Sequence, residues 1–114
     1  MTLREILELT EATLVCGSHH TEDTITYGFA SDLMSDVLTI LEDNIIMITG
    51  LSSVQAIRTA EMSDIRNILL VRNKKPSDAM IEIAEELGIS ISSTPYSLFR
   101  ASGVLYGAGL KPVY

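Results

Sequence analysis

The apolar and polar positions of this chain change period most sharply between Asn44 and Ala60. Ile45-Ile46-Met47-Ile48 is an unbroken apolar run bounded by Asp43-Asn44 and by Thr49-Gly50, the pattern of a strand covered on both faces. Ser53, Ala56, Ile57 and Ala60 then fall at i, i+3, i+4 and i+7, which predicts a helix that sets small residues close against the sheet. Strand, tight turn and helix in this order form the unit around which the other segments are read.

Upstream, Thr2 and Glu5 have the spacing of a capping box, and Leu3, Ile6, Leu7 and Thr10 mark one side of an opening helix. Ala12 to Cys16 reads as a first strand and Gly17 to Asp23 as a polar loop. Ile25 to Phe29 reads as a second strand, with Gly28 marking either a bulge or a close backbone approach. Ser31 is expected to cap a second helix, with Asp32 in its first turn and Met34, Val37, Leu38 and Leu41 on its apolar face. Downstream of the central unit, Ile68 to Val71 is a further buried strand, followed by the basic loop Arg72 to Pro76. Ser77 caps a helix carrying Met80, Ile83, Ala84 and Leu87 on one face, and Gly88 stands where a left-handed C-cap belongs. Ile89 to Ser92 alternates as an edge or final strand, and Thr94-Pro95 is expected to start a last helix running toward Gly103 or Tyr106.

The apolar centres near Ile46, Leu69 and Ile91 recur at intervals of 23 and 22 residues with a helix in each gap. This βαβαβ rhythm implies right-handed crossovers and parallel neighbours. The expected fold is α/β: a single three-layer domain over residues 1–114, with a mostly parallel sheet of about five strands and flanking helices.

With 114 residues the chain is long enough for one real core, and 46% hydrophobic against 20% charged residues argues for a compact fold. A net charge of −7, from 15 acidic and 8 basic residues, repels polyanions, so nucleic acid is not an expected partner. No apolar stretch reaches the ~20 residues of a membrane span, so no membrane partner is expected, and one cysteine, Cys16, fits a cytoplasmic location.

Parallel strands bring their C-terminal ends to one edge, where open α/β sheets bind ligands. That edge collects Thr49, Gly50, Ser52, Ser53, Arg72, Ser93 and Thr94, and helix-start amides beside basic side chains there suit a phosphate-like anion. Asp32 and Ser35 of the second helix complete the candidate ligand-binding set. The simpler alternative is that the hydroxyls cap helices and the basic loop is a solvated turn. After Gly50 there is no Gly-Lys-Ser/Thr, so nucleotide hydrolysis of the P-loop kind has no support. Cys16, His19 and His20 lack zinc-site spacing and read as a strand end and two exposed loop histidines. Asp32 and Asp36, one turn apart, form a conceivable acid/base pair but read better as a cap-region acid and a solvated one. No catalytic residue, metal or cofactor is expected.

The order of elements, with Gly28-Phe29-Ala30-Ser31-Asp32-Leu33-Met34-Ser35-Asp36-Val37 followed by Ile48-Thr49-Gly50, resembles the DRTGG domain from about Leu3 to Tyr106, and its short stand-alone members most. Where that family takes its name from an Asp-Arg-Thr stretch after a strand, this chain has Gly50-Leu51-Ser52-Ser53. The resemblance implies a non-catalytic regulatory and dimerising module, similar to the N-terminal domain of HPr kinase/phosphorylase. The kinase activity of that enzyme lies in a separate P-loop domain. For small stand-alone relatives the resemblance implies an accessory role to a redox, hydrogenase or metabolic enzyme system, with a protein partner.

The resulting expectation is a self-associating regulatory or interaction domain, not an enzyme, that senses a small anion containing a phosphate or a nucleotide. The alternatives are a small phosphoryl-handling enzyme using Asp32 and the serines of the central turn, and a purely structural dimerisation module. A homodimer is expected because the tail from Val104 to Tyr114 is too apolar for a free end and must cover either its own core or a partner.

Overall fold

The computed structural model describes residues 1–114. Its elements are α1 (Leu3–Leu9), β1 (Thr13–Cys16), a 3-10 turn (Ser18–His20), β2 (Tyr27–Ala30), α2 (Met34–Val37), β3 (Ile45–Thr49), α3 (Val54–Met62), β4 (Asn67–Leu70), α4 (Asp78–Leu87), β5 (Ser90–Ser93), α5 (Leu98–Gly107) and β6 (Lys111–Pro112). One sheet orders the strands β1-β5-β4-β3-β2-β6. All neighbours are parallel except β1, which runs antiparallel to β5.

The crossovers through α2, α3 and α4 all step the same way across the sheet, which sets these helices on one face. The chain then returns through α5, which with α1 covers the other face, and β6 closes the edge beside β2. β3 lies at the middle of this three-layer α/β fold with all five residues buried. Its Ile45 and Met47 join the core under α2 to α4, whereas Ile46 and Ile48 join the core under α1 and α5. The strand alternation thus decides which layer each residue holds. Ala56, Ile57 and Ala60 of α3 are fully buried, as their spacing requires. The capping box of Thr2 and Glu5 forms, and Gly88 ends α4 at φ 70°.

Several expectations are corrected. The sheet has six strands, because the tail supplies β6. β5 is an interior strand: β1, distant in sequence, pairs with it as Thr13 with Ser93 and Leu14 with Ser92. Two of its three buried serines are satisfied internally, Ser90 Oγ donating to Asn67 Oδ1 at 2.6 Å and Ser93 Oγ to the Lys74 carbonyl at 2.7 Å, whereas Ser92 Oγ is buried without a partner. α2 is one turn whose N-cap is Leu33, while Ser31 Oγ accepts from the Leu33 amide in a local turn. Only Met34 and Val37 of its expected apolar face are buried, and Leu41 is 93% exposed. α5 starts at Leu98, capped by Ser97 rather than Thr94. Gly28 marks a close approach, since a Cβ there would lie 2.7 Å from Leu110 Cδ2. The tail largely covers its own core: Leu105 and Leu110 are buried, and Tyr114 hydrogen-bonds Thr39 through its hydroxyl at 2.8 Å.

Candidate functional site

The C-terminal edge of the parallel strands is organised by the turn between β3 and α3. Thr49 ends β3 fully buried, and its hydroxyl donates to Asp32 Oδ1 at 3.0 Å while accepting from the Leu51 amide at 3.1 Å. The same Asp32 oxygen accepts from the Gly50 amide at 2.6 Å. Asp32 follows β2 by two residues, so the parallel pairing of β2 with β3 is what delivers its carboxylate to this turn. A Cβ on Gly50 would lie 3.4 Å from Asp32 Oδ2 and 3.4 Å from Arg72 Nη2. The acid and the guanidinium therefore flank a residue without a side chain, and they form no ion pair with each other.

Arg72 is positioned by backbone geometry. It and Asn73 adopt φ of 54° and 58°, and their amides donate to the carbonyls of Tyr96 and Thr94, each at 2.8 Å. This pins the basic loop to the segment after β5 and leaves the side chains of Arg72, Lys74 and Lys75 exposed. Ser52 Oγ donates to the Lys75 carbonyl at 3.0 Å, and Ser93 Oγ holds the Lys74 carbonyl. These two expected ligand hydroxyls thus fasten the loop that carries the cations. Ser53 is the N-cap of α3 but makes no capping bond; its hydroxyl is shut off from water without a partner, and the amides of Ser52 and Ser53 have no acceptor in the chain. Thr94 turns away: fully buried, its hydroxyl donates to the Thr10 carbonyl at 2.5 Å and ties β5 to the end of α1. Ser35 is exposed on α2. The edge accordingly brings Asp32, Thr49, Gly50, Ser52, Ser53 and Arg72 together and leaves Ser35 and Thr94 aside.

A family model for the DRTGG domain matches residues 5–107. The chain belongs to the DRTGG domain family. A search of curated proteins finds no match. Among solved structures, the chain is similar to the CBS and DRTGG domains of the regulatory region of the Clostridium perfringens pyrophosphatase, solved with its activator diadenosine tetraphosphate. The match has a TM-score of 0.71 at 16% identity and covers 91% of this chain but 45% of that one, so it speaks for the fold. This DRTGG chain lacks the Asp-Arg-Thr stretch on its turn, yet an aspartate and an arginine reach the turn from the ends of β2 and β4. No spacing rule would have paired Asp32 with Arg72, because only the strand order makes them neighbours.

The opposite edge carries a polar cavity of about 430 Å³ lined by Asp23, Asp43, Asn44, Asp64, Arg66 and Asn67. Three carboxylates against one guanidinium make it a poor place for an anion. Beside it, His20 is buried, contrary to the expectation of an exposed loop residue. Its Nδ1 lies 2.6 Å from Asp23 Oδ2 and its Nε2 lies 2.5 Å from the Gly88 carbonyl. Asn67 extends the network from Asp23 to Ser90. These groups tie the 3-10 turn to the ends of α4 and β4. Cys16 points toward the Ile89 carbonyl at 3.8 Å, and burial pushes its thiol pKa up, away from the thiolate form.

Proposed function

We propose that residues 1–114 act as one non-catalytic DRTGG-like module that senses a small phosphate-containing ligand of nucleotide type at the carboxyl edge of its sheet and works as a self-associating unit. The observation that carries this reading is the flanking of Gly50 by Asp32 and Arg72, each 3.4 Å from where a Cβ would stand, beside the start of α3. A bare anion would meet the Asp32 carboxylate, but a nucleotide offers both signs of partner. Its phosphate suits Arg72 and the amides of Ser52 and Ser53, and a ribose hydroxyl or base amine suits the free Asp32 Oδ2. The nucleotide activator of the pyrophosphatase regulatory region supports the same ligand class. The regulatory setting of that region supports a role without catalysis and, with the net charge of −7, a partner that is an enzyme or a second copy rather than nucleic acid. Self-association has a surface in Leu33, Leu38 and Leu41, which are 59%, 50% and 93% exposed around α2.

Thermal-shift screening of the whole chain against AMP, diadenosine tetraphosphate and inorganic phosphate tests the ligand, because a compound bound by the folded state alone raises the melting point. A nucleotide should stabilise more than phosphate, and Arg72→Ala should weaken its binding by about tenfold, the loss of one charge-assisted hydrogen bond. No stabilisation by any nucleotide would leave the purely structural dimerisation reading in its place.

A further inference from the structure

Gly28 of β2 faces α5, since a Cβ there would lie 2.7 Å from Leu110 Cδ2 and 3.9 Å from Ile48 Cδ1, and the strand period sets Ala30 on the same side. Ala30, Ile48, Phe99 and Gly103 share with Gly28 the lining of a cavity of about 460 Å³ between the helix and the sheet. Gly28, Ala30 and Gly103 are too small to close this gap, although Ala101 and Leu105 of the same helix are fully packed. The result is a narrow, mostly apolar slot on the α5 face.

The mouth of the slot adjoins the Gly50 turn. Ala30 precedes Asp32 by two residues, Ile48 precedes Gly50 by two, and the Ser31 amide still donates to the Ile48 carbonyl at 3.1 Å, so the pairing of β2 with β3 runs up to the turn itself. Two residues of extended chain span ~7 Å, which puts the apolar rim within one nucleoside's reach of the Asp32 carboxylate. α5 begins at this same edge, because it follows β5 and runs back toward β6, whose Lys111 pairs with Tyr27 at the start of β2. Phe99, the second residue of α5, therefore stands at the rim, with 78% of its surface exposed. Scattered exposed apolar side chains are ordinary, but this ring borders an apolar slot on one side and a polar, cation-bearing turn on the other. A nucleotide has the same two halves in the same order, and any base offers a π-face to an aromatic ring.

We propose that the mouth of this slot receives the base of the nucleotide whose phosphate is held at the Gly50 turn, the base stacking on the Phe99 ring. Asp32 is then left to the ribose hydroxyls. The inference rests on the nucleotide reading and adds to it the residue that tells a nucleotide from a sugar phosphate. Calorimetric titration of the full chain with AMP and with ribose 5-phosphate, which lacks the base, tests it. AMP should bind at least about fivefold more tightly, the lower end of what one aromatic stack contributes. Phe99→Leu keeps an apolar side chain without the ring, and should lower AMP affinity about fivefold or more while leaving ribose 5-phosphate unchanged. Phe99→Tyr should restore AMP binding. Because Phe99 is exposed, both variants should keep the wild-type circular-dichroism melt. Equal binding of AMP and ribose 5-phosphate, or a Phe99→Leu variant that weakens both alike or neither, would overturn the base site and leave the phosphate site at Arg72 standing. Binding of neither compound would overturn the nucleotide reading and this inference together.

Discussion

Single residues hold this fold at places where the chain has no other choice. Gly17 sits at φ 86°, and a Cβ there would lie 2.5 Å from Ser90 Cα, a backbone atom that cannot move aside. Gly17→Ala is therefore expected to lower the unfolding free energy by ~2 kcal/mol or more, combining a left-handed strain with a backbone clash, as a denaturant titration would show. Glu5 gives a pH-dependent case. Its carboxylate accepts from the Thr2 amide and then from the Thr2 hydroxyl, and both lower its pKa below the ordinary carboxylate value. The unfolded chain then binds more protons in the window between the two pKa values, so this contribution is present above the unfolded value and is lost as pH falls through the folded one. Glu5→Gln keeps the reach of the capping box without the charge, so its stability deficit at neutral pH should close in that acidic window; a deficit that grows on acidification would reverse the sign.

Elements with a strong period were legible in the sequence, and those shaped by distant neighbours were not. β3 and α3 follow from Ile45 to Ala60 because a buried strand and a close-packed helix face leave unambiguous patterns. The face assignment of α3 makes Ala56→Leu cost ~1–3 kcal/mol by overpacking, whereas Ala79→Leu on the exposed side of α4 should stay within about 0.5 kcal/mol. Equal melting points for the two would contradict the packing. α2 was overextended because Leu38 and Leu41 continue the helical spacing, but the chain breaks after Val37 and leaves both in solvent. β5 looked like an edge because its Ile-Ser alternation resembles a half-wet strand; the hydroxyls of Ser90 and Ser93 find internal partners, and β1 pairs with it from the far end of the sequence, Thr13 with Ser93. The strand order expected from the sequence does bring Thr49, Gly50, Ser52, Ser53 and Arg72 to one edge. Which hydroxyls stay free there was not legible, because Ser52, Ser93 and Thr94 are taken by carbonyls of remote segments.

At the scale of the molecule, the sheet is closed on one side by the N-terminal β1 and on the other by the C-terminal β6, so both ends of the chain belong to the core architecture. Ending the chain at Gly103 removes Leu105, Leu110 and β6, and should unfold the protein rather than merely release a partner. Light scattering of the full chain is expected to give a dimer, and Leu38→Glu with Leu41→Glu a folded monomer, because Leu33, Leu38 and Leu41 form one cluster of exposed leucines around α2. The central claim is the proposal that a nucleotide binds at the carboxyl edge of the sheet and not at the opposite one. Amide chemical-shift mapping of the full chain during titration with AMP and with diadenosine tetraphosphate tests it most directly. The account predicts saturable shifts at Gly50, Ser52, Ser53 and Arg72 that disappear in Arg72→Ala, while shifts clustered at Asn44, Asp64 and Asn67 on the opposite edge would contradict it.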